Sequence, residues 1–131
     1  MTKELIISII IVGLIFAGNA VTENYTKTSV SETTQSLEKL RKEIIKDEDE
    51  VDVQQAKKQI DDIYEAWGKR HEKLAFYIEH DELEKVKTEL TGLRGYIEKE
   101  EYGEAVPELD KSMYILEHIK DKTSLNLKNI F

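Results

Sequence analysis

The sequence contains no cysteine, which removes several kinds of site at once. Disulfide frameworks, thiolate zinc sites, iron–sulfur clusters and cysteine nucleophiles are all excluded. Proline occurs once and glycine six times among 131 residues, whereas 35% of the residues are charged. Because turn-forming residues are scarce and charged ones abundant, the composition favours helices over a turn-rich β fold. We therefore expect an all-α protein, and its length corresponds to one domain.

Basic side chains are also in short supply. Lysine and arginine total 19 against 27 aspartates and glutamates, which gives a formal net charge of -8. A protein that binds nucleic acid needs a basic face to displace counterions from the phosphates. The charge balance therefore predicts no nucleic-acid partner.

What the sequence does contain is one long uncharged run, Leu5–Val21. As a helix the run would extend about 25 Å at ~1.5 Å per residue, close to the ~30 Å hydrocarbon core of a bilayer. A soluble helix of this length would be amphipathic, but this run has no polar face. We predict that residues 1–21 form a transmembrane helix and that the lipid bilayer is a partner through Leu5–Val21.

The same run is compatible with an uncleaved anchor, which we favour, or with a signal peptide. Gly18 and Ala20 are small residues at positions -3 and -1 of a cut after Ala20, a loose match to the A-x-A rule. Lys3 is the one basic side chain ahead of the run, so the positive-inside rule gives thin support for an orientation. In both cases we expect the remainder outside the cytoplasm. The protein is then a single-pass protein of the cell membrane or, if cleaved, a secreted one.

The rest of the chain divides into a linker and a helical domain. Residues 22–34 are rich in serine and threonine and lack apolar periodicity, so we interpret them as a juxtamembrane linker or a frayed helix start. Residues 35–131 form the predicted bundle domain. An acidic run, residues 46–50, is no EF-hand loop, because such a loop needs a central glycine.

Within the domain, apolar residues recur at spacings of three and four, the period of a coiled-coil seam. A phase break after Ile78, where Asp81 and Glu84 match a capping box, predicts a turn near His80-Asp81, with one continuous helix as the alternative. Tyr102-Gly103 is the next predicted turn. The four stripes are Leu37, Leu40 and Ile44, with Val51 as a possible addition; Val53, Ala56, Ile60, Ile63, Trp67, Leu74 and Ile78; Leu83, Val86, Leu90, Leu93 and Ile97; and Ala105, Leu109, Met113, Leu116 and Ile119.

Four stripes joined by short turns predict an antiparallel helical bundle of about four helices behind the N-terminal transmembrane or signal-anchor helix. Residues 121–131 contain no helix breaker. They are interpreted as an extension of the fourth helix or as a cap on the bundle formed by Leu125, Leu127, Ile130 and Phe131.

Several short segments carry a resemblance to a known family. They are the Trp67 helix, Tyr77-Ile78-Glu79-His80-Asp81-Glu82-Leu83, Leu116-Glu117-His118-Ile119 and the terminal Ser124-Leu125-Asn126-Leu127-Lys128-Asn129-Ile130-Phe131. With an apolar N-terminus ahead of a helical domain, the chain resembles the family of the domain of unknown function DUF4363, small membrane proteins of clostridial type. The resemblance implies a membrane-tethered helical domain and brings no activity, cofactor or catalytic residue.

The three histidines do not form a recognisable metal motif. Gly68, Tyr77 and Ile115 lie three residues before them, so the Glu-x-x-His pairs of bundle di-iron sites are missing, and HExxH is absent too. His80 and Glu84 are an i, i+4 pair that would hold a surface metal only weakly. No G-x-S-x-G elbow or glycine-rich phosphate loop is present either. We expect no cofactor, no metal and no enzymatic activity.

Aromatic and histidine side chains near the second seam form the candidate interaction surface, Tyr64, Trp67, His71, Tyr77 and His80. For Trp67 core packing is the favoured interpretation, because this residue fits the seam. We expect a noncatalytic interaction module outside the cytoplasm that contacts another envelope or membrane protein. The alternative is an exported domain that binds or senses a small molecule.

Overall fold

The computed structural model describes the backbone of residues 1–130 and the side chains of residues 1–124. Four α-helices follow one another: α1 (Thr2–Ile44), α2 (Val53–Leu74), α3 (His80–Glu98) and α4 (Tyr102–Ile130). A short 3-10 turn, Glu48–Glu50, lies between α1 and α2, and the described residues include no strand. The all-α prediction is confirmed.

The helices form a ring in which each packs against its sequence neighbours, and α4 closes the ring against α1. Cross-helix contacts fix the directions. Arg94 Nε of α3 lies 2.9 Å from Asp61 Oδ1 of α2, and Arg41 Nε of α1 lies 3.0 Å from Asp110 Oδ1 of α4. These pairs require antiparallel neighbours, as expected for an up-down-up-down bundle with short loops.

The interior consists of the predicted stripes. Every member of the α3 stripe is fully buried, from Leu83 to Ile97. The other stripes differ in places: Val53, Ile78 and Met113 are only half-buried, and Ser112 lies in the core beside Met113. Ser112 Oγ donates to the carbonyl of Glu108 at 2.9 Å, so its hydroxyl is satisfied within its own helix.

Residues 22–34 differ from the predicted linker, because they continue α1 without a break. Thr26, Ser29, Val30 and Thr33 are buried and carry the Leu37 stripe down the helix at the same spacing. Thr26 Oγ1 bonds the carbonyl of Thr22 at 2.8 Å, and Thr33 Oγ1 bonds that of Ser29 at 2.7 Å. Because these two hydroxyls are satisfied one turn back, Thr26 and Thr33 take core positions at low cost, whereas the buried hydroxyl of Ser29 has no hydrogen-bond partner among the described residues.

The turns confirm the predicted separation of α2 from α3 but differ in detail. Residues 75–79 connect the two helices, and Asp81 lies inside the first turn of α3, so the predicted capping box does not form. The α3–α4 turn is centred on Glu100 and not on Tyr102-Gly103. There the N–H of Glu101 donates to the carbonyl of Tyr96 at 2.8 Å, and the N–H of Glu100 donates to that of Ile97 at 3.0 Å. This is a Schellman motif with Glu100 in the left-handed region, at φ 58°.

The two ends of α1 have opposite surroundings. Residues 2–18 are exposed on every side, and no buried side chain occurs before Thr26. Of the described helices, α1 is long and apolar enough to cross a membrane, by length and composition. At the other terminus α4 continues to Ile130, which confirms the extension; capping by Leu125, Leu127, Ile130 and Phe131 lies outside the described side chains.

Candidate functional site

Tyr64 and Trp67 lie near the middle of α2, whereas His71, Tyr77 and His80 lie at the end of the bundle nearest the apolar part of α1. We name this the proximal end; the α1–α2 and α3–α4 turns form the distal end. The hydroxyl of Tyr77, in the α2–α3 turn, lies 2.8 Å from Thr26 Oγ1 and donates to the carbonyl of Thr22 at 3.1 Å. The turn is thereby fixed beside the point at which α1 enters the bundle.

Three of the five residues share a depression on the α2 side of the bundle. Tyr64, Trp67 and His71 line a space of about 500 Å³ together with Lys87 of α3. Trp67 is only 2% exposed and belongs to the core. Its assignment to an exposed surface is therefore corrected, because the seam position carries the indole inward. The buried indole N–H has no hydrogen-bond partner among the described residues.

Tyr77 belongs to another face. Its ring packs toward α1, away from the depression, through the two contacts with Thr22 and Thr26. Burial raises the pKa of the Tyr77 hydroxyl, and the hydrogen bond with Thr26 opposes that rise in part. The five residues therefore do not form one continuous surface.

His71 and His80 meet at the carboxylate of Glu84, which the sequence pairs with His80 but not with His71. His71 Nε2 lies 3.9 Å from Glu84 Oε1, and His80 Nε2 lies 3.7 Å from the same oxygen. Ligand atoms of all three residues lie within 4.8 Å of one another. His71 comes from the last turn of α2, and His80 begins α3. The hairpin thus adds a second imidazole to the i, i+4 pair.

The register of the hairpin explains why these residues meet. Asp61 pairs with Arg94, and the hydroxyl of Tyr64 lies 3.4 Å from Thr91 Oγ1. His71 and Glu84 follow the same antiparallel register. In each of these three pairs, the two residues lie equally far along the chain from the centre of the turn, between Tyr77 and Ile78. The sequence contained this signal, but it required the turn to be placed at Tyr77-Ile78 and not at His80-Asp81.

One exposed aromatic face was missed altogether. Tyr114 of α4 is 76% exposed. It lines a depression of about 670 Å³ with Pro107 and Ile115, bordered by charged side chains that include Asp110 and Lys111. Tyr114 lies off the α4 stripe, and an isolated tyrosine between stripes carries no sequence signal.

The described residues define an antiparallel four-helix bundle whose first helix extends outward as an exposed apolar segment. The chain belongs to the family of the domain of unknown function DUF4363, whose family model matches residues 20–130. The match begins where the helix changes from exposed to packed. No curated protein and no solved structure matches the chain.

Proposed function

We propose that this protein is a noncatalytic, membrane-anchored module that presents a rigid helical bundle outside the cytoplasm to another envelope protein. The continuity of α1 carries the proposal. Its 43 residues form one helix, about 65 Å long, with exposed apolar side chains in its first half and core side chains in its second. An anchor joined to the bundle without a flexible linker fixes the height and tilt of the bundle above the bilayer.

The surface of the bundle supports this arrangement. Beyond residues 1–21, the large hydrophobic side chains that are exposed in the described residues are Ile45, Phe76, Tyr77 and Tyr114. Phe76, which is 90% exposed, and Tyr77 both lie in the proximal turn. Aromatic residues are enriched where a protein meets the headgroups. With α1 as an anchor, this turn rests on the membrane surface.

Tyr114 is the proposed contact for a protein partner. This large aromatic side chain lies next to Pro107 and Ile115 and is surrounded by charged residues. An aromatic centre with a charged rim is typical of an interface hot spot. This face lies on α4 and points sideways from the bundle, so a neighbour in the same membrane can reach it.

The anchor and its orientation are tested together with single cysteines, because the natural chain has none. We expect full-length protein to remain with membranes in alkaline carbonate. Asp49→Cys, at the distal end, should react with an impermeant maleimide in intact cells, and Thr2→Cys only after lysis. A mature protein that begins at Val21, or the reverse labelling pattern, would overturn this part of the proposal.

The partner is tested by a photo-crosslinking residue at position 114 in living cells. We expect a discrete adduct with another membrane or envelope protein, and none from position 57 on the opposite helix α2. An adduct at both positions would mark non-specific proximity. An adduct of two copies of this chain would replace the proposed heterologous partner with self-assembly.

A second candidate function, the binding of a small molecule, is favoured by the unpartnered indole N–H of Trp67 beside the depression of about 500 Å³. A ligand acceptor group at this N–H would satisfy it. Native mass spectrometry of protein purified from its own cells should then show a bound mass that Trp67→Phe loses. Protein without such a mass would leave the interaction role as the sole proposal.

A further inference from the structure

The cluster of His71, His80 and Glu84 has a spacing that direct contacts between the side chains do not explain. The two nitrogen–oxygen distances, 3.7 and 3.9 Å, exceed the length of a hydrogen bond. Neither imidazole has another polar partner in the part of the chain that the structure describes. Two imidazoles and a carboxylate thus point to a common space without bonding to one another.

That space has the dimensions of a transition-metal site. Zinc bonds to nitrogen or oxygen of ~2.0–2.2 Å at tetrahedral angles place neighbouring ligand atoms about 3.4 Å apart. The two nitrogen–oxygen distances are within about 0.5 Å of that value, and the ligand atoms of all three residues lie within 4.8 Å of one another, so side-chain rotations can bring them to one ion. We propose that His71, His80 and Glu84 bind a zinc ion. This proposal revises the expectation, made from the sequence, that the chain has no metal site.

The local structure favours an arrangement in which all three side chains contact one ion. His71 is the least exposed ligand, at 17% of its side chain, and lies one turn beyond the buried Trp67. His80 and Glu84 are one helical turn apart on α3, where i, i+4 side chains lie on the same face. Among the described residues, no lysine or arginine forms an ion pair with Glu84 to compete for its oxygens. Two rigid helices therefore supply all three ligands.

The ligand types select the metal. Imidazole nitrogens suit zinc and its neighbours in the transition series, whereas magnesium and calcium prefer sites made of oxygen atoms alone. Three protein ligands leave a fourth coordination position for water or for a group from a partner. A zinc ion here would bind α2 to α3 across a connection of five residues, residues 75–79. It would thereby stiffen the proximal end, next to Phe76.

The experiment uses the full chain without a histidine tag, in detergent, after treatment with chelator and dialysis. Calorimetric titration with zinc should give one ion per chain, and millimolar magnesium should not displace it. Cobalt should give the visible absorption of a four-coordinate ion. Saturating zinc should raise the melting temperature by roughly 5–10 °C, as expected for a ligand that binds only the folded state.

Three variants test the ligand assignment. His80→Ala and Glu84→Gln should each weaken zinc binding at least about tenfold and should change the cobalt spectrum. The His80 side chain is 75% exposed and that of Glu84 is 41% exposed, with no hydrogen bond to either among the described residues, so apo melting temperatures should stay within about 2 °C of the natural protein. His71→Gln should have the same effect on binding.

The chain offers a matched control in its third histidine. His118 is exposed on α4 and outside the cluster, so His118→Ala should bind zinc as the natural protein does. Absence of stoichiometric zinc uptake would overturn the proposal. Equal losses in His118→Ala and His80→Ala would overturn it too, because they would show diffuse surface chelation. Both outcomes are independent of the anchor and of any protein partner.

Discussion

The distal and proximal ends of the bundle satisfy their polar groups in opposite ways. At the distal end, buried Glu43 accepts the backbone N–H of Asp52 at 2.7 Å and the Lys46 ammonium at 2.6 Å, and the Schellman motif around Glu100 completes α3. At the proximal end, Phe76 is exposed, and His71 and His80 lack direct hydrogen bonds.

This difference separates groups that maintain the fold from groups that are available for binding. The distal turns are acidic and contain their own partners, so substitutions there should change stability. At the proximal end Tyr77 bonds to α1, but the exposed side chains of Phe76 and His80 contribute little to the fold, so substitutions of these two residues should change binding. The α3 stripe connects the two ends. Substitutions in this stripe should change the free energy of unfolding more than substitutions at either end.

The largest expected effect is that of Leu90→Ala. Leu90 is fully buried at the centre of α3, midway between the ends. The substitution should reduce the free energy of unfolding by about 2–5 kcal/mol, the usual range for this change in a core. Thr88→Ala, two residues away and exposed, should change it by less than about 0.5 kcal/mol. Equal melting curves for the two variants would mean that the bundle is not packed by itself.

Glu43→Gln should have the next largest effect and should depend on pH. The hydrogen bond to Lys46, followed by that from the Asp52 N–H, lowers the pKa of Glu43 in the folded protein. A lowered folded pKa stabilises the protein above the unfolded pKa, and this contribution is lost as the pH falls through the folded value. Glu43→Gln should therefore melt several degrees below the natural protein at pH 7.

The comparison across pH is the check on that prediction. The difference in melting temperature should shrink between about pH 5 and pH 3, as the carboxylate of the natural protein takes up a proton. A difference that stays constant over this range would assign the effect to packing and not to charge.

Glu100→Gly should stabilise the distal end. Glu100 has a φ of 58°, a conformation that costs a residue with a Cβ atom roughly 1–2 kcal/mol and costs glycine little. Glycine is more flexible in the unfolded chain, so we expect a net gain of about 0.5–1 kcal/mol. Calorimetry should show a higher melting temperature, whereas Lys99→Gly, at the preceding position with a φ of -87°, should lower it.

Phe76→Ser should have the smallest effect on stability. The ring is 90% exposed, so the free energy of unfolding should change by no more than about 0.5 kcal/mol. Tyr77→Phe, one residue later, removes the hydroxyl that contacts Thr26 and Thr22 and should cost about 1 kcal/mol. If Phe76→Ser were the more destabilising of the two, the proximal turn would be held by its phenylalanine ring.

The apolar stripes were predicted well because their period is local. Leu83, Val86, Leu90, Leu93 and Ile97 follow helical spacing, and all five are buried. Residues 22–34 are helical and packed, which differs from the linker interpretation and lies nearer to the alternative of a helix start, because threonine and serine occupy the core positions there. The hydroxyls of Thr26 and Thr33 are satisfied by carbonyls one turn back, which a hydropathy pattern does not register.

The sequence by itself determined the helices and the uncharged run Leu5–Val21, since both depend on residues within a few turns of each other. The tertiary structure decided which side chains meet. Only the antiparallel register of α2 and α3 brings His71 to the oxygen that His80 also faces, and only the structure shows that α1 is one helix from the exposed apolar segment to the core. Contacts between helices depend on where each turn is placed, and a shift of two or three residues in the turn would have turned His71 away from Glu84.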